Sequence, residues 1–268
     1  MYRVVEIALA DMKRLFRYKL EGVYHTNFSI KGFDYPWILT SHDWKQGERV
    51  LDVGAAYSPL PTYLHDNFGC EAWAVDDFGM TSGEEYWLRN NSPQKFIDEH
   101  PEVHYVLERL GSPSESSLPL GYFDVIYSIS ALEHIPGAMQ ADVWRQMDSL
   151  LRPGGELIHA VDVDFPSNFG LPGMLKAGAL NTLYRFIPRS YRERYCLVTP
   201  RAYLRLISPA LGIVLRGTAD LSVMNMALNP DVLADSYDFG FNRIQKGDDP
   251  NYRFQRVGSL LIHLKKLE

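Results

Sequence analysis

Short apolar runs alternate with polar, helix-prone stretches between residue 48 and about residue 165. Each run has the length of a buried strand, and strands separated by helices predict a parallel sheet with right-handed crossovers. The pattern therefore predicts an α/β fold with helices on both faces of the sheet. The predicted strands are Val50–Val53, Ala72–Val75, Val103–Leu107, Phe123–Ser128 and Glu156–Val163, and a helix is predicted at Ala138–Leu151.

The segments on either side of this alternation have different patterns. Apolar residues recur at helical spacing over residues 1–20, which predicts a helix packed on the domain or a basic helix resting on a membrane or a partner. Residues 21–47 are aromatic and irregular, and residues 171–215 look mostly helical, with late strands predicted at Val214–Asn225 and Ser259–Lys266. We therefore predict three regions: an N-terminal helical and aromatic cap (1–47), a core (48–165), and a helical insertion with the last two strands (166–268).

Composition narrows the class of protein. The chain has 268 residues, a net charge of −6 and two cysteines. An acidic balance disfavours a broad nucleic-acid surface, since phosphate binding needs clustered Lys and Arg. Neither a disulfide framework nor zinc-like cysteine spacing is present, and no signal peptide or membrane-spanning run is recognised. We therefore expect a cytoplasmic protein that binds no nucleic acid.

The first two predicted strands both end in a carboxylate. Asp52 stands just before a turn whose single glycine is Gly54, and Asp76 ends the second strand. A carboxylate at the second tip is where a ribose diol is held in doubly wound nucleotide sites. Turn capping is the alternative role for both acids. Because Pro59 stands where a pyrophosphate would need a donor N–H, the turn suits a ligand without phosphates better than NAD.

Four segments, in order, resemble the class I S-adenosylmethionine-dependent methyltransferases. "VLDVGAAYS" resembles the first motif of that family, usually D-x-G-x-G-x-G, although Ala56 and Ser58 replace two glycines. "AWAVDDF" resembles the second motif. "FDVIYSISALEHIP" (123–136) resembles the fourth strand and its exit, and "LLRPGGELI" (150–158) the turn before the fifth strand. The resemblance implies a Rossmann-like, seven-stranded methyltransferase sheet with an antiparallel last strand.

The same resemblance implies S-adenosylmethionine as the cofactor. Gly54 and the backbone that follows it would line the methionine part, Asp52 would face the ammonium directly or through water, and Asp76 would bind the ribose hydroxyls. Ser112 is the residue expected near adenine. The full set of implied cofactor-binding residues is Asp52, Gly54, Ala55, Ala56, Asp76, Ser112 and Ser128.

The methyl acceptor is expected beyond the ends of the fourth and fifth strands. His134 is the candidate base, because histidine titrates near neutral pH and an alcohol acceptor must lose a proton. Its alternative role is to shape the loop through backbone bonds. Asp162 and Asp164 are two apart on an extended segment and point the same way. They could bind a sugar diol or a divalent metal, and Tyr24 and Tyr35 could close over the pocket as a lid.

We therefore predict a methyltransferase acting on a small molecule, with oxygen of a sugar or natural product as the first choice and nitrogen as the second. Metal is not expected. The glycine-poor turn keeps open a catalytically inactive cofactor-binding protein of the same fold, and a nicotinamide-dependent enzyme is the third option. The sequence leaves the acceptor and the oligomeric state open, with a homodimer as one option.

Overall fold

A computed structural model gives the fold of the chain. The structure describes residues 1–5, 31–79, 92–111, 116–164, 200–212 and 257–268.

The described strands are β1 (Tyr2–Val4), β2 (Arg49–Val53), β3 (Glu71–Val75), β4 (His104–Val106), β5 (Phe123–Ile129), β6 (Leu151–Asp164) and β7 (Val257–Lys266). They form one seven-stranded sheet in the order β1-β7-β6-β5-β2-β3-β4. Strands β2 to β6 are parallel where they pair, while β7 runs antiparallel to both β6 and β1. The predicted sheet, with its antiparallel last strand, is confirmed.

Helices cover both faces of this sheet, as predicted. Consecutive strand residues point to opposite faces. The ring of Tyr127 faces Trp44, which follows the first helix, whereas Ser128 bonds to His159, whose ring packs on Trp144 of the fourth helix. The described α-helices are α1 (Lys31–Ser41), α2 (Leu60–Phe68), α3 (Pro93–Glu99), α4 (Gly137–Leu150) and α5 (Pro200–Leu211).

The first residues of the chain correct one end of the helix predicted over residues 1–20, while residues 6–20 lie outside the described part of the chain. Tyr2–Val4 is a strand whose residues pair antiparallel with Leu264–Lys266 of β7. Tyr2 also donates a hydrogen bond from its hydroxyl to Asp148 Oδ1 at 2.7 Å. Pairing along a sheet edge outweighs the helical spacing, because tertiary context overrides local propensity.

The segment predicted as an irregular aromatic cap contains α1, whose residues Trp37 and Ile38 are buried in the core. This helix begins at Lys31 and contacts β5 and β6. The rest of the predicted cap, most of the insertion and the predicted strand Val214–Asn225 lie outside the described residues. The three predicted regions therefore remain a prediction.

A partly buried ionic network ties the end of α1 to the sheet, on the edge opposite the strand carboxyl ends. The ring of His42 contacts Glu156 at 3.0 Å and Glu48 at 3.1 Å. Glu156 also contacts His263 and Lys265, each at 3.0 Å. Burial opposes its charge, but these hydrogen bonds hold the pKa of Glu156 well below its usual range. Burial likewise opposes a charged His42, yet the two carboxylates raise the pKa of its ring.

The raised pKa of His42 predicts that the protein loses stability as pH rises through the range in which this ring titrates. A histidine whose folded pKa lies above its unfolded value, about 6.5, contributes stability below that value and loses it as pH rises through the folded pKa. The difference in unfolding free energy between wild type and His42→Gln should therefore shrink from about pH 6.5 upward, as urea denaturation would measure. His104→Gln, an exposed histidine, is the control. A constant difference across this range would contradict the assignment.

Candidate active site

The turn after β2 is shaped by close contact with the loop after β5. Gly54 has φ +72°, and its N–H donates to the carbonyl of Val75 at 2.9 Å. A Cβ placed on Gly54 would lie 2.4 Å from the Cβ of Ala131. Only glycine fits here without displacement, on grounds of both backbone conformation and space.

The carboxylate at the tip of β3 accepts backbone N–H groups from two turns, the one after β2 and the one after β3. Asp76 Oδ2 accepts the N–H of Ala56 at 2.9 Å, and Oδ1 accepts the N–H of Phe78 at 2.5 Å. Ala56 adopts φ +44°, a left-handed conformation in which the usual family residue would be glycine. Burial raises the pKa of Asp76, while these two N–H donors oppose the rise. Each oxygen keeps a second lone pair, so the carboxylate can also accept hydroxyl groups.

Asp52 lies deeper than its predicted role suggested. It is 2% exposed, and the sheet register places it beside Tyr127 and, across Ala74, in the same row as Tyr105. Neither tyrosine hydroxyl has a hydrogen-bond partner among the described residues. Burial, and next the charge of Asp52, raises the pKa of both phenols. Asp52 therefore sits beneath the turn, a depth that fits the predicted contact through water better than the direct one.

Ser128 is placed away from the turn. It is fully buried, and its hydroxyl lies 2.8 Å from Nδ1 of His159 on the α4 face of the sheet. His159 is buried as predicted, and burial lowers the pKa of its ring to about 3. The structure thus gives Ser128 a role in the core, because it points to the face opposite Tyr127 and Asp52.

The remaining predicted site residues have different outcomes. Tyr35 on α1 is 5% exposed, and its hydroxyl lies 3.5 Å from Ser58 Oγ in the turn. Ala55 is buried in the same turn. The backbone of Asp164 ends β6. Ser112 and Tyr24, the predicted adenine and lid residues, lie outside the described residues.

A second group of polar side chains gathers where β5 and β6 end. Ser130 has φ +47°, and its Oγ lies 3.2 Å from Asp162 Oδ1 and 3.5 Å from Asp34 Oδ2. Asp34 comes from α1 and is fully buried. Asp34 and Ser130 were missed by the sequence analysis, since nothing in the pattern predicts that α1 reaches this edge. The site therefore carries two carboxylates about one hydroxyl.

The 3-10 turn Leu132–His134 supplies a histidine backed by an acid. The His134 side chain is 51% exposed, and its Nε2 lies 3.6 Å from Oε1 of Glu133, whose side chain is 3% exposed. A buried carboxylate behind one nitrogen favours the tautomer protonated there, which leaves Nδ1 as the acceptor. At 3.6 Å the two groups form an ion-pair contact that is longer than a hydrogen bond, so the pair is a candidate for a base with an acid beside it.

These features fit the cofactor that the sequence motifs imply. The Gly54 turn lets backbone approach a ligand closely, and Asp76 offers a carboxylate for a diol at the tip of the next strand. Among the described residues, no three His, Cys, Asp or Glu side chains form a metal-binding group. In the same part of the chain, no helix is long and apolar enough to cross a bilayer.

Comparison with known proteins identifies one sequence family. The family model described as "Methyltransferase domain" matches residues 38–207, well over half of the chain. The search of curated proteins found no match. The matched region begins inside α1 and includes the Gly54 turn, Asp76 and the loop that carries His134.

Solved structures share the fold at low sequence identity. Haemonchus contortus phosphoethanolamine N-methyltransferase 2 with S-adenosyl-L-methionine has a TM-score of 0.54 and 15% identity, covering 98% of this chain and 60% of that one. A Bacillus halodurans protein has a TM-score of 0.52 and 17% identity, covering 88% and 99%. The YcgJ protein from Bacillus subtilis gives 0.50 and 12%, covering 88% and 98%. Our chain spans only 52% to 60% of the two Haemonchus chains.

Proposed function

The chain belongs to the methyltransferase domain family, and from that premise we propose that it transfers a methyl group from S-adenosylmethionine to a hydroxyl oxygen of a small molecule, a sugar or a natural product. Family membership confirms the class of domain that the motifs predicted, and the Haemonchus protein that shares the fold binds the cofactor that they imply. The acceptor and its reacting atom are our proposal, and they rest on the geometry of His134.

The observation that carries the proposal is the half-exposed His134 beside the buried Glu133, with Nε2 and Oε1 3.6 Å apart. An alcohol stays protonated at neutral pH, so its oxygen becomes a strong nucleophile only as a base removes the proton. Bound S-adenosylmethionine supplies an electrophilic methyl carbon on its sulfonium sulfur. In our proposal Nδ1 of His134 accepts the hydroxyl proton, while Glu133 stabilises the imidazolium that results.

The cluster of polar side chains at the ends of β5 and β6 favours an acceptor that carries several hydroxyl groups. Asp162 and Asp34 surround the hydroxyl of Ser130, and carboxylates of this kind accept hydrogen bonds from sugar hydroxyls. Alignment of acceptor and methyl carbon can lower the barrier by roughly 7–11 kcal/mol. In this proposal Asp162 binds and orients the acceptor, and the buried Asp34 supports Asp162 from the interior side of Ser130.

A second candidate is methylation of an amine nitrogen. The same two carboxylates favour a cationic group electrostatically, because opposite charges attract more strongly where water is excluded. The Haemonchus protein that shares this fold is a phosphoethanolamine N-methyltransferase. An amine must lose a proton before it attacks, so His134 would serve either acceptor.

The experiment that tests the proposal identifies the product atom directly. The full chain would be incubated with S-adenosylmethionine labelled with ¹³C at the methyl carbon and a panel of free sugars, phenols and primary amines. We expect S-adenosylhomocysteine to form with a hydroxylated member, and the carbon NMR signal of the product to be that of an O-methyl group. Transfer to amines alone would overturn the oxygen assignment. Transfer to no member, despite tight cofactor binding, would favour the inactive binding protein.

Asp76 provides a separate prediction about cofactor binding. Asp76→Ala removes a charged acceptor of the ribose hydroxyls, so affinity for S-adenosylhomocysteine should fall by about 1–3 kcal/mol. Calorimetric titration measures this. Asp77→Ala is the matched control, because it removes a neighbouring carboxylate that accepts the N–H of Gly79, at 2.9 Å, and not that of Ala56. Equal affinities for wild type and Asp76→Ala would reject the ribose role.

A further inference from the structure

The loop that carries Glu133 and His134 is held by one buried side chain from α4. Gln140 is fully buried, and its Nε2 donates to the carbonyl of Leu132 and, at 3.0 Å, to the carbonyl of Ile135. These two carbonyls bracket the pair Glu133 and His134 in sequence. One carboxamide therefore fixes the backbone on both sides of the proposed base.

The carboxamide is itself oriented by a chain of hydrogen bonds from α5. The hydroxyl of Tyr203 donates to Gln140 Oε1 at 3.1 Å and accepts the indole N–H of Trp144 at 3.2 Å. All three side chains are fully buried. The direction of every bond follows from chemistry, since two carbonyls can only accept and an indole N–H can only donate. Gln140 thus has a single satisfied orientation.

We propose that Gln140 is a positioning residue for methyl transfer, and that Tyr203 makes its hold on the base loop depend on the docking of α5. The proposal rests on the proposed function for the role of His134. Helix α5 lies in the predicted third region (166–268), within the stretch 171–215 that was predicted to be mostly helical, so the carboxamide links that region to the base. Because the Gln140 carboxamide is hydrogen-bonded both to the loop and to Tyr203, a shift of α4 or α5 is transmitted to the loop.

Glutamine is required at this position because no side chain of similar size offers both the N–H donors for the two carbonyls and the oxygen that accepts from Tyr203. Glutamate would direct a carboxylate at two carbonyl oxygens, and methionine keeps the length without donors or acceptor. Gln140→Met therefore releases the loop with little change of volume. Tyr203→Phe leaves the two donors of Gln140 in place but removes the bond that orients them, so its effect should be smaller and in the same direction.

The first test is hydrogen exchange of the loop amides in the full chain. The amides of His134 and Ile135 donate to Ala131 and Leu132 carbonyls within the turn, at 3.1 and 3.2 Å. We expect their exchange to be at least tenfold faster in Gln140→Met, and measurably faster in Tyr203→Phe. Met147→Ala is the control: it lies on the same helix, is fully buried and makes no contact with the loop carbonyls through a hydrogen bond. Equal exchange in Gln140→Met and Met147→Ala would overturn the proposal.

The second test separates positioning from general destabilisation, with the panel acceptor that gives the fastest turnover. Gln140→Met should lower kcat at least tenfold and leave KM for S-adenosylmethionine within about twofold, whereas Met147→Ala should keep kcat. In a His134→Ala background, Gln140→Met should cause no further loss of kcat, because both act on one proton transfer. Losses that multiply in the double variant would overturn the proposal. Failure of the proposed function is a different result: His134→Ala alone would keep full turnover.

Discussion

Replacing His134 with alanine should lower turnover by about two to four orders of magnitude, the usual contribution of a positioned general base. In our proposal the half-exposed ring beside a buried carboxylate accepts a proton, and it lies on the loop after β5 rather than in the turn that contains Gly54. Affinity for S-adenosylhomocysteine should therefore stay within about twofold of wild type. Initial rates and calorimetry on the same preparation measure both quantities.

Two further variants make this prediction specific. His65→Gln replaces a histidine whose Nδ1 contacts the carbonyl of Cys70 at the far end of α2, and it should keep full turnover. Glu133→Gln keeps the shape of the dyad but removes the charge that stabilises the imidazolium, so it should lie between wild type and His134→Ala. If His134→Ala abolishes cofactor binding instead, the histidine shapes the loop and is not the base.

Replacing Gly54 with alanine should disrupt the turn after β2 more than a methyl group added at any other position in that turn. The left-handed backbone at φ +72° disfavours a side chain by about 1–2 kcal/mol. The new Cβ would also lie 2.4 Å from the Cβ of Ala131, and overpacking of this kind typically adds about 1–3 kcal/mol. The clash can be relieved only if the turn moves away from the loop after β5. We therefore expect cofactor affinity to fall at least tenfold and the unfolding free energy to decrease.

The two contributions to this effect can be separated by mutation. Gly47→Ala places a methyl group at φ +78° with no atom within 4 Å, so it should show the conformational effect alone and leave cofactor binding unchanged. In the double variant with Ala131→Gly, the nearest atom to the new Cβ is the Cα of residue 131 at 3.7 Å. The double variant should therefore recover to the level of Gly47→Ala. No recovery would show that the contact with Ala131 is not what reserves position 54 for glycine.

The sheet and its turn could be predicted from the sequence because they depend on local patterns. Short apolar runs mark buried parallel strands, and the acids at the tips of β2 and β3 fall in fixed register with the turn. Tyr2–Val4 was predicted wrongly, since its partner lies in Leu264–Lys266, at the other end of the chain. Cofactor binding by Ser128 stays a prediction, and the motif alone did not indicate that its side chain points to the face of the sheet opposite Asp52.

The contacts that assemble the acceptor side could not be predicted, because they join distant parts of the chain. Asp34 meets Ser130 across 96 positions, and Tyr203 meets Gln140 across 63. A buried acid in an aromatic segment and a glutamine on a helix give no signal of their partners. Ala56 is a similar case: its replacement of a family glycine was visible, but its left-handed φ was not.

The account depends most on the Gly54 turn and Asp76 forming the site for an adenosine-bearing sulfonium cofactor. Calorimetric titration of the full chain with S-adenosylhomocysteine, with NAD as the competing ligand, tests this most directly. We predict saturable one-to-one binding of S-adenosylhomocysteine that Gly54→Ala and Asp76→Ala weaken and that excess NAD leaves unchanged. Absence of binding, or binding of NAD in its place, would contradict the account.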